Sequence, residues 1–292
     1  MLDYQNAIEI KGLTKKYDGF LLDSVSFSVP RGCILGFVGQ NGAGKTTTIR
    51  SLLNIIKVDG GSIRMLGMDH IKEEYEIKEQ IAAVFDEMPF HESFTPNQIN
   101  IMFKGLYKNW QEACFYEYLD RFGLPRKKKI AKFSKGMKMK LQIAAALSHG
   151  AKLLIMDEAT TGLDPVVRNE ILDMFREYVR DEEHSILMSS HITSDLEKIA
   201  DCVAFIDRGK ILLTGYKDEI LENHGLMKCS KAEWEALKPE DYISARRNDF
   251  GVDVMVANVA ETRKKYPDYV MDRTTLEEIL LFYVNQRKKV WQ

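Results

Sequence analysis

The stretch Gly39-Gln40-Asn41-Gly42-Ala43-Gly44-Lys45-Thr46 decides how this sequence folds. It fits the pattern G-x-x-x-x-G-K-[ST], whose glycines let successive backbone N–H groups curl around an anion. The apolar run from Cys33 to Val38 predicts a buried strand before it, and Lys45 to Asn54 predicts a helix after it. The sequence therefore predicts a phosphate-binding loop at a helix N-terminus, with Lys45 on the outer phosphates and the Thr46 hydroxyl on Mg²⁺.

Strand and helix patterns alternate on both sides of this loop. Short apolar runs at Ile81 to Phe85, Leu153 to Met156 and Ser185 to Met188 predict buried strands, and helical stretches separate them. Val25 to Val29 alternates apolar and polar residues, which is typical of a half-buried strand. The pattern predicts an α/β fold with a mainly parallel core sheet and an additional antiparallel β part.

A helical insertion interrupts the predicted sheet. No strand pattern occurs between Pro96 and His149, where apolar and aromatic residues recur at helical spacing. We expect a helical subdomain at about residues 95–149.

A smaller unit is predicted at the C-terminal end. Phe250, Val252, Val254 and Val256 alternate as one face of a strand, and Thr275-Leu276-Glu277-Glu278 has the spacing of a helix capping box. A unit of this size buries little core by itself, so it should lean on the main domain or on a partner. The predicted domains are a main domain at residues 1–224, which contains the phosphate-binding loop, and a small α/β accessory domain at 225–292.

Composition excludes several classes of protein. A formal net charge of −2 gives no basic surface for a nucleic acid, so no nucleic-acid partner is expected. No apolar run approaches the ~20 residues that span a bilayer, and the segment from Met1 to Asn6 lacks a signal-peptide pattern, so we expect a cytoplasmic protein. The four cysteines are scattered without a C-x-x-C pair, which predicts neither disulfides nor a zinc site.

Two neighbouring carboxylates follow the predicted strand from Leu153 to Met156. Asp157 and Glu158 would lie at the carboxyl edge of the sheet, where α/β folds bind their ligands. In phosphoryl transfer this position suits Asp157 as a Mg²⁺ ligand and Glu158 as the general base for the attacking water.

With these motifs in order, the sequence resembles the nucleotide-binding subunits of ABC transporters over nearly all of residues 7–215. Phe133-Ser134-Lys135-Gly136-Met137 lies where that family has its Leu-Ser-Gly-Gly-Gln signature, which caps the ATP held by the other subunit. Thr161-Gly162-Leu163-Asp164 resembles the D-loop. His191 resembles the switch histidine that contacts the γ-phosphate, and Tyr17 resembles the aromatic residue that stacks on adenine. The resemblance implies ATP and Mg²⁺ as cofactors and a second ATPase subunit, in a homo- or heterodimer, as partner.

Three sets of candidate site residues follow from the motifs and the resemblance. The catalytic candidates are Lys45, Glu158 and His191. The nucleotide-binding candidates are Tyr17, Gly39, Asn41, Gly42, Ala43, Gly44, Lys45, Thr46, Thr47, Ser134, Lys135 and Gly136. The metal-binding candidates are Thr46, Asp86 and Asp157.

The sequence departs from the family pattern at two motifs. In the signature segment Ser134 and Gly136 match, whereas Lys135 and Met137 do not. After the Ile81 to Phe85 strand the family ordinarily has a glutamine that links Mg²⁺ and water to the membrane partner, and this chain has Asp86. An aspartate can ligate Mg²⁺ but cannot donate a hydrogen bond as glutamine does. Asp86 is therefore our predicted metal ligand, with Glu87 as the neighbouring candidate.

The resemblance implies the ATPase subunit of an ABC exporter that drives a separately encoded transmembrane permease. The signature, Asp86 and the C-terminal unit resemble ABC-2-type exporters linked to peptide export or antimicrobial-peptide immunity, which implies a peptide cargo. We expect the chain at the inner face of the cell membrane, held there by the permease. Two alternatives stay open: the ATPase subunit of an importer, and an ABC ATPase without a transport role.

Overall fold

A computed structural model of the chain describes residues 5–286 and 290–291. Residues 1–4, which belong to the segment without a signal-peptide pattern, lie outside the described residues, as do 287–289 and 292 of the predicted accessory domain. Strands and helices alternate along the described part, and its strands form three sheets.

The described strands are β1 (Asn6–Tyr17), β2 (Phe20–Pro30), β3 (Ile34–Val38), β4 (Gly60–Met65), β5 (Met68–Asp69), β6 (Ile81–Phe85), β7 (Leu153–Asp157), β8 (Ser185–Ser190), β9 (Cys202–Asp207), β10 (Lys210–Tyr216), β11 (Gly225–Cys229), β12 (Ser244–Asn248), β13 (Gly251–Val256), β14 (Val270–Asp272) and β15 (Val290–Trp291). The described α-helices are α1 (Lys45–Leu52), α2 (Glu74–Lys78), α3 (Pro96–Leu106), α4 (Glu112–Arg121), α5 (Lys135–Leu147), α6 (Pro165–Tyr178), α7 (Thr193–Ile199), α8 (Lys217–Asn223), α9 (Lys231–Glu235), α10 (Val259–Lys265) and α11 (Leu276–Val284). Short 3-10 helices occur at Ile130–Lys132 and Pro239–Asp241.

The central sheet has the strand order β10-β9-β3-β8-β7-β6 in the described part of the chain. Its strands pair in parallel from β9 to β6, and β10 pairs antiparallel at the edge. Every residue of β3, β7 and β8 is buried, because both faces of the sheet are covered. The predicted parallel core is confirmed. It brings the carboxyl ends of β3, β6, β7 and β8 to one edge.

A second sheet, with the order β2-β1-β4-β5, is antiparallel. In β2 the side chains of Val25, Phe27 and Val29 are buried, whereas the serines between them are exposed. The alternation seen in the sequence therefore marks one buried and one solvent-facing side, as predicted for a half-buried strand.

Helices α3, α4 and α5 occupy the segment in which no strand pattern was found. Thr95 and Gln98 form a capping box at the start of α3, with Pro96 in its first turn. The Ser134 hydroxyl caps α5 by accepting a hydrogen bond from the Met137 backbone N–H. The signature segment therefore opens a helix whose first N–H groups point toward its exposed end.

A third sheet lies near the C-terminus, with the order β14-β11-β13-β12-β15 in the described residues. One detail of the prediction is wrong: Phe250 is not on the strand face. It lies in the hairpin turn and is 99% exposed, because β13 begins only at Gly251. The strand is also buried on both faces after its first residue, so strict alternation was not the correct interpretation.

The C-terminal sheet packs against the rest of the molecule. Leu226, Met255 and Leu276 belong to the same hydrophobic cluster as the residues of the central sheet. The Leu276 backbone N–H donates to the Glu197 carboxylate of α7 at 2.7 Å. These contacts agree with a small unit that leans on the main domain. The division into domains at residues 224 and 225 stays a prediction, and it falls between α8 and β11.

The structure shows the state of the cysteines and the apolar character of the helices. All four cysteines are free thiols, of which Cys202 and Cys229 are buried. No helix among the described residues is long and apolar enough to cross a bilayer.

Candidate functional site

The phosphate loop connects β3 to α1 at the carboxyl edge of the central sheet. A Cβ atom on Gly39 would overlap the Ile206 carbonyl oxygen of β9 and lie 2.8 Å from the Ile206 Cγ2, so the loop can lie this close to the sheet only with glycine there. Gly42 and Gly44 have φ values of +78° and +118°, which other L-residues rarely adopt. The backbone thus has the curled form that presents N–H groups to an anion.

The Lys45 side chain lies inside this loop. It is only 5% exposed, and its ammonium donates to the Gly39 carbonyl at 2.7 Å and to the Gln40 carbonyl at 3.3 Å. It also lies 3.2 Å from Glu158 Oε1. These partners compensate the burial of a full positive charge and fix its position at the floor of the loop.

Asp157 and Glu158 end β7 beside the loop, and they have different surroundings. Asp157 is 8% exposed, and the Ser189 hydroxyl of β8 donates to its Oδ1 at 2.6 Å. Glu158 lies just after the end of β7 and has a left-handed backbone conformation, with a φ of +56°. Its backbone N–H donates to the Ser189 hydroxyl at 3.1 Å and to the Ser189 carbonyl at 3.2 Å. Ser189 therefore holds both acidic residues, a role that no motif in the sequence indicates.

The Glu158 carboxylate is the centre of a charged network. Its Oε2 accepts from the Thr161 hydroxyl at 2.8 Å and lies 2.6 Å from Nδ1 of His191. Burial raises the pKa of the Glu158 carboxyl, but the Thr161 hydrogen bond and the Lys45 charge lower it by more. The pKa lies below its ordinary value, so Glu158 is ionised at neutral pH and can accept a proton. The structure thus brings the three catalytic candidates, Lys45, Glu158 and His191, into one network.

Asp86 follows β6 at the same edge, because Phe85 pairs with Asp157 across the two parallel strands. Its carboxylate is engaged within the chain: Oδ1 lies 2.6 Å from the Lys135 ammonium of α5. Two of the three residues that depart from the family pattern, Asp86 and Lys135, are thus in contact with each other. Gln142, which the sequence did not single out, adds a second connection, since its side chain bonds both the N–H and the carbonyl of Phe85.

Two clefts that share Asn41, Thr46 and Glu158 lie over these groups. One, of about 530 Å³, follows the phosphate loop. The other, of about 490 Å³, extends toward the end of β6. The candidates that line the first are Asn41, Gly42, Gly44, Lys45, Thr46, Thr47 and Glu158. Those that line the second are Asn41, Thr46, Asp86, Asp157, Glu158 and His191.

Six candidates lie elsewhere. Gly39 and Ala43 are buried parts of the loop itself, and the lining residues of the two clefts do not include Tyr17, Ser134, Lys135 or Gly136. Tyr17 ends β1, is 46% exposed and pairs across the hairpin with Phe20. Phe20 lines the cleft at the phosphate loop and is an aromatic residue that the sequence reasoning missed.

The oxygen donors at this edge suit Mg²⁺. The Thr46 hydroxyl and the carboxylates of Asp86 and Asp157 are hard ligands, and all three line one cleft. Among residues 5–286 and 290–291, no group of three or more His, Cys, Asp or Glu side chains could hold a metal by itself. Mg²⁺ usually takes one or two protein carboxylates and completes its shell with phosphate and water oxygens. The arrangement therefore fits an ion that binds together with phosphates.

Comparison with known proteins agrees with this geometry. Residues 22–161 match the family model described as ABC transporter. The bacitracin transport ATP-binding protein BcrA of Bacillus licheniformis is 38% identical over 211 residues, which are 70% of this chain and 68% of that protein. The daunorubicin/doxorubicin resistance ATP-binding protein DrrA of Streptomyces peucetius is 34% identical over 225 residues, 75% of this chain and 68% of that protein.

Solved structures give the same result for the fold. A structure titled as the ATP-binding subunit of an ABC transporter aligns with a TM-score of 0.65 at 28% identity, and covers 73% of this chain and 91% of that one. The predicted fold and family are thereby confirmed, while the roles of individual residues stay predictions. The chain belongs to the ABC transporter family of ATP-binding proteins, and it is an ATPase whose hydrolysis of ATP is coupled to transport.

Proposed function

We propose that this chain is the ATP-hydrolysing subunit of an ABC exporter, and that it dimerises around two Mg-ATP to drive a separately encoded transmembrane permease. One observation carries the catalytic part of the proposal: Lys45, Thr161 and His191 converge on the Glu158 carboxylate beside the phosphate loop. A partly buried, ionised carboxylate next to a phosphate-binding lysine is the arrangement that activates water for attack on a phosphoryl group.

The contacts suggest an order of events at this site. Lys45 bonds Glu158 and two loop carbonyls, and an ammonium drawn onto the ATP phosphates would weaken its hold on Glu158. Glu158 would then be free to take the proton of the attacking water, while His191 keeps the carboxylate oriented through Oε2. Thr46 and Asp157 would hold Mg²⁺, which would neutralise charge at the phosphates.

The position of the signature segment supports the proposal that the chain dimerises. Ser134 is exposed at the start of α5, and it lines neither of the clefts over its own phosphate loop. A helix N-terminus with an exposed serine hydroxyl is suited to an anion. We therefore assign Ser134, Lys135 and Gly136 to the ATP bound by the other subunit.

A groove on the helical subdomain supports the proposal that the chain binds a permease. A groove of about 300 Å³ lies between β6 and α3, lined by apolar side chains that include Phe90, Met102 and Phe103. It also contains Phe85, the residue before Asp86, so a protein docked there would lie beside the nucleotide site. We propose that the permease occupies this groove and holds the chain at the cytoplasmic face of the membrane.

BcrA is a bacitracin transport protein and DrrA a daunorubicin/doxorubicin resistance protein, and similarity to these two relatives favours export over import. We propose a peptide cargo on the resemblance to the bacitracin protein. Copurification of the chain with its membrane partner tests this direction. A permease that comes with a substrate-binding protein would indicate an importer instead, and the absence of any membrane partner would contradict the proposed permease.

The substitution Glu158→Gln tests the mechanism. We expect ATP binding to persist and turnover to fall by about 10²–10⁴-fold, the usual contribution of a general base. We also expect an ATP-bound dimer to accumulate in size-exclusion chromatography. Glu117→Gln, on the exposed side of α4, is the matched control and should keep the wild-type rate. Wild-type hydrolysis by the Glu158 variant would remove this residue from the role of base.

A further inference from the structure

The starting observation is the ion pair between Asp86 and Lys135. It joins the residue after β6, at the metal edge of the sheet, to the first residue of α5. A Cβ atom placed on Gly162 would lie 3.1 Å from the Lys135 ammonium, so this ammonium also lies against the backbone of the Thr161–Asp164 segment. Lys135 therefore contacts two segments of its own nucleotide site, although it stands in the signature segment.

A second connection shows which part of this junction can move. Gln142, two helical turns after Lys135 on α5, is 4% exposed. Its side chain accepts from the Phe85 N–H at 3.2 Å and donates to the Phe85 carbonyl at 3.1 Å. Breaking these buried bonds would leave polar groups without partners, which is costly. The backbone before Asp86 is thus firmly attached to α5, and the Asp86 side chain is the part that can exchange partners.

The ion pair itself is weak enough to exchange. Its two side chains are 44% and 43% exposed, and pairs of this kind change an equilibrium by no more than about fivefold. Asp86 lines the same cleft as Thr46 and Asp157. A divalent cation bound to the Asp86 carboxylate and an ammonium 2.6 Å from it carry the same sign of charge, so each disfavours the other.

We propose that Lys135 is a positioning residue that competes with the metal ion for the Asp86 carboxylate. Metal binding at the phosphate loop then releases Lys135 from Asp86 and frees the start of α5 from its ion pair with the residue after β6. This rests on the proposed function, in which Mg-ATP binds the loop and the start of α5 meets the second subunit. Metal binding at the phosphate loop of one subunit thereby frees the signature segment of that subunit, which contacts the ATP bound by the second subunit.

The test measures how much Mg²⁺ strengthens ATP binding, as the ratio of the Kd for ATP in EDTA to the Kd in saturating Mg²⁺. All variants carry Glu158→Gln to prevent turnover, and the protein is kept dilute enough to remain a single chain in sedimentation. Lys135→Met should increase this ratio, by up to about fivefold at low salt, because the competitor is gone. Lys135→Arg should restore the wild-type ratio, and 0.5 M KCl should shrink the difference.

Two further variants separate competition from other effects. Lys138→Met removes another lysine of α5, which is partly exposed and pairs with Glu92 at 2.8 Å, and should leave the ratio unchanged. In an Asp86→Asn background, Lys135→Met should have no effect, because the shared carboxylate is absent. Urea unfolding checks that each variant is folded.

Each outcome decides the proposal. An unchanged ratio in Lys135→Met, or an equal increase with Asp86→Asn present, overturns the competition. If Mg²⁺ strengthens ATP binding in no variant, Asp86 is not part of a metal site, and the proposed competition between Lys135 and the metal ion is refuted as well. Failure of the Glu158 variant to dimerise at high concentration refutes the proposed dimer separately, since the ratio is measured on the single chain.

Discussion

Ser189 is the least obvious residue of the site, and removing its hydroxyl tests whether the metal edge is organised as the contacts suggest. It is fully buried on β8, donates to Asp157 at 2.6 Å and accepts from the Glu158 N–H at 3.1 Å. The change Ser189→Ala removes a single oxygen and leaves the Glu158 N–H with the Ser189 carbonyl at 3.2 Å. The Asp157 carboxylate loses the partner that fixes its orientation.

The size of the effect follows from the type of bond that is lost. A hydrogen bond to an ionised group contributes about 1.5–3 kcal/mol, and every 1.4 kcal/mol corresponds to a factor of ten in affinity. If that bond orients Asp157 as a metal ligand, Mg²⁺ binding should weaken by about 10- to 100-fold. Losses of this size are usual when the partner of a metal ligand is removed.

The assay is the Mg²⁺ concentration that gives half-maximal ATP hydrolysis, measured at saturating ATP. Ser185→Ala is the matched control, since Ser185 is also fully buried on β8 but accepts from Gly32 at the opposite end of the strand. In urea unfolding Ser189→Ala should lose about 1.5–3 kcal/mol and Ser185→Ala about 0.5–1.5 kcal/mol, the usual contributions of a hydrogen bond to an ionised group and of a neutral hydrogen bond. Equal Mg²⁺ midpoints in the two variants would show that Ser189 serves only stability, and the reasoning about Asp157 would be refuted.

Two other outcomes are expected. Gly39→Ala should abolish ATP binding and destabilise the fold, because the added Cβ overlaps the Ile206 carbonyl. The Cβ of Gly42→Ala meets no atom within 4 Å, so this variant should lose only about 1 kcal/mol in urea unfolding, from backbone strain. Equal losses of stability in the two variants would contradict the steric argument. The pKa of Glu158 lies below its ordinary value of 4.5, so its ionised form stabilises the fold above pH 4.5 and this stabilisation is lost as the pH falls through the lowered pKa. The free energy of unfolding of wild type should therefore exceed that of Glu158→Gln at pH 7, and the difference should shrink as the pH falls below 4.5. A difference independent of pH would show that charge is not its cause.

The parallel core could be predicted because its strands are buried on both faces and are therefore continuous apolar runs. The Ile81 to Phe85 and Leu153 to Met156 runs became β6 and β7 with almost the predicted bounds. Phe250 shows the limit of such patterns: its spacing matched a strand face, but only the position of the turn before Gly251 decides whether a residue faces the core or solvent.

The phosphate loop and the acidic pair were predictable because each is contiguous in the chain and has a chemistry of its own. The residues that position the loop and the acidic pair were not predictable. Ser189 and Gln142 are ordinary buried polar residues, and they reach the site only through strand register and helix packing. Asp86 and Lys135 were identified one by one as departures from the family pattern, and their contact appears only when β6 and α5 are packed together.

Gly136 supports a second subunit by a different argument. A Cβ atom on Gly39 would overlap the backbone of its own chain, whereas one on Gly136 would meet only the Val167 side chain at 3.5 Å, an ordinary contact. Its φ also lies outside the left-handed region, so neither space nor backbone conformation within this chain requires glycine there. Glycine within a helix is less stable than alanine by about 1 kcal/mol, and nothing in the described fold offsets that cost. A ligand that approaches the first turn of α5 closely would account for it, and the ATP of the proposed second subunit is such a ligand.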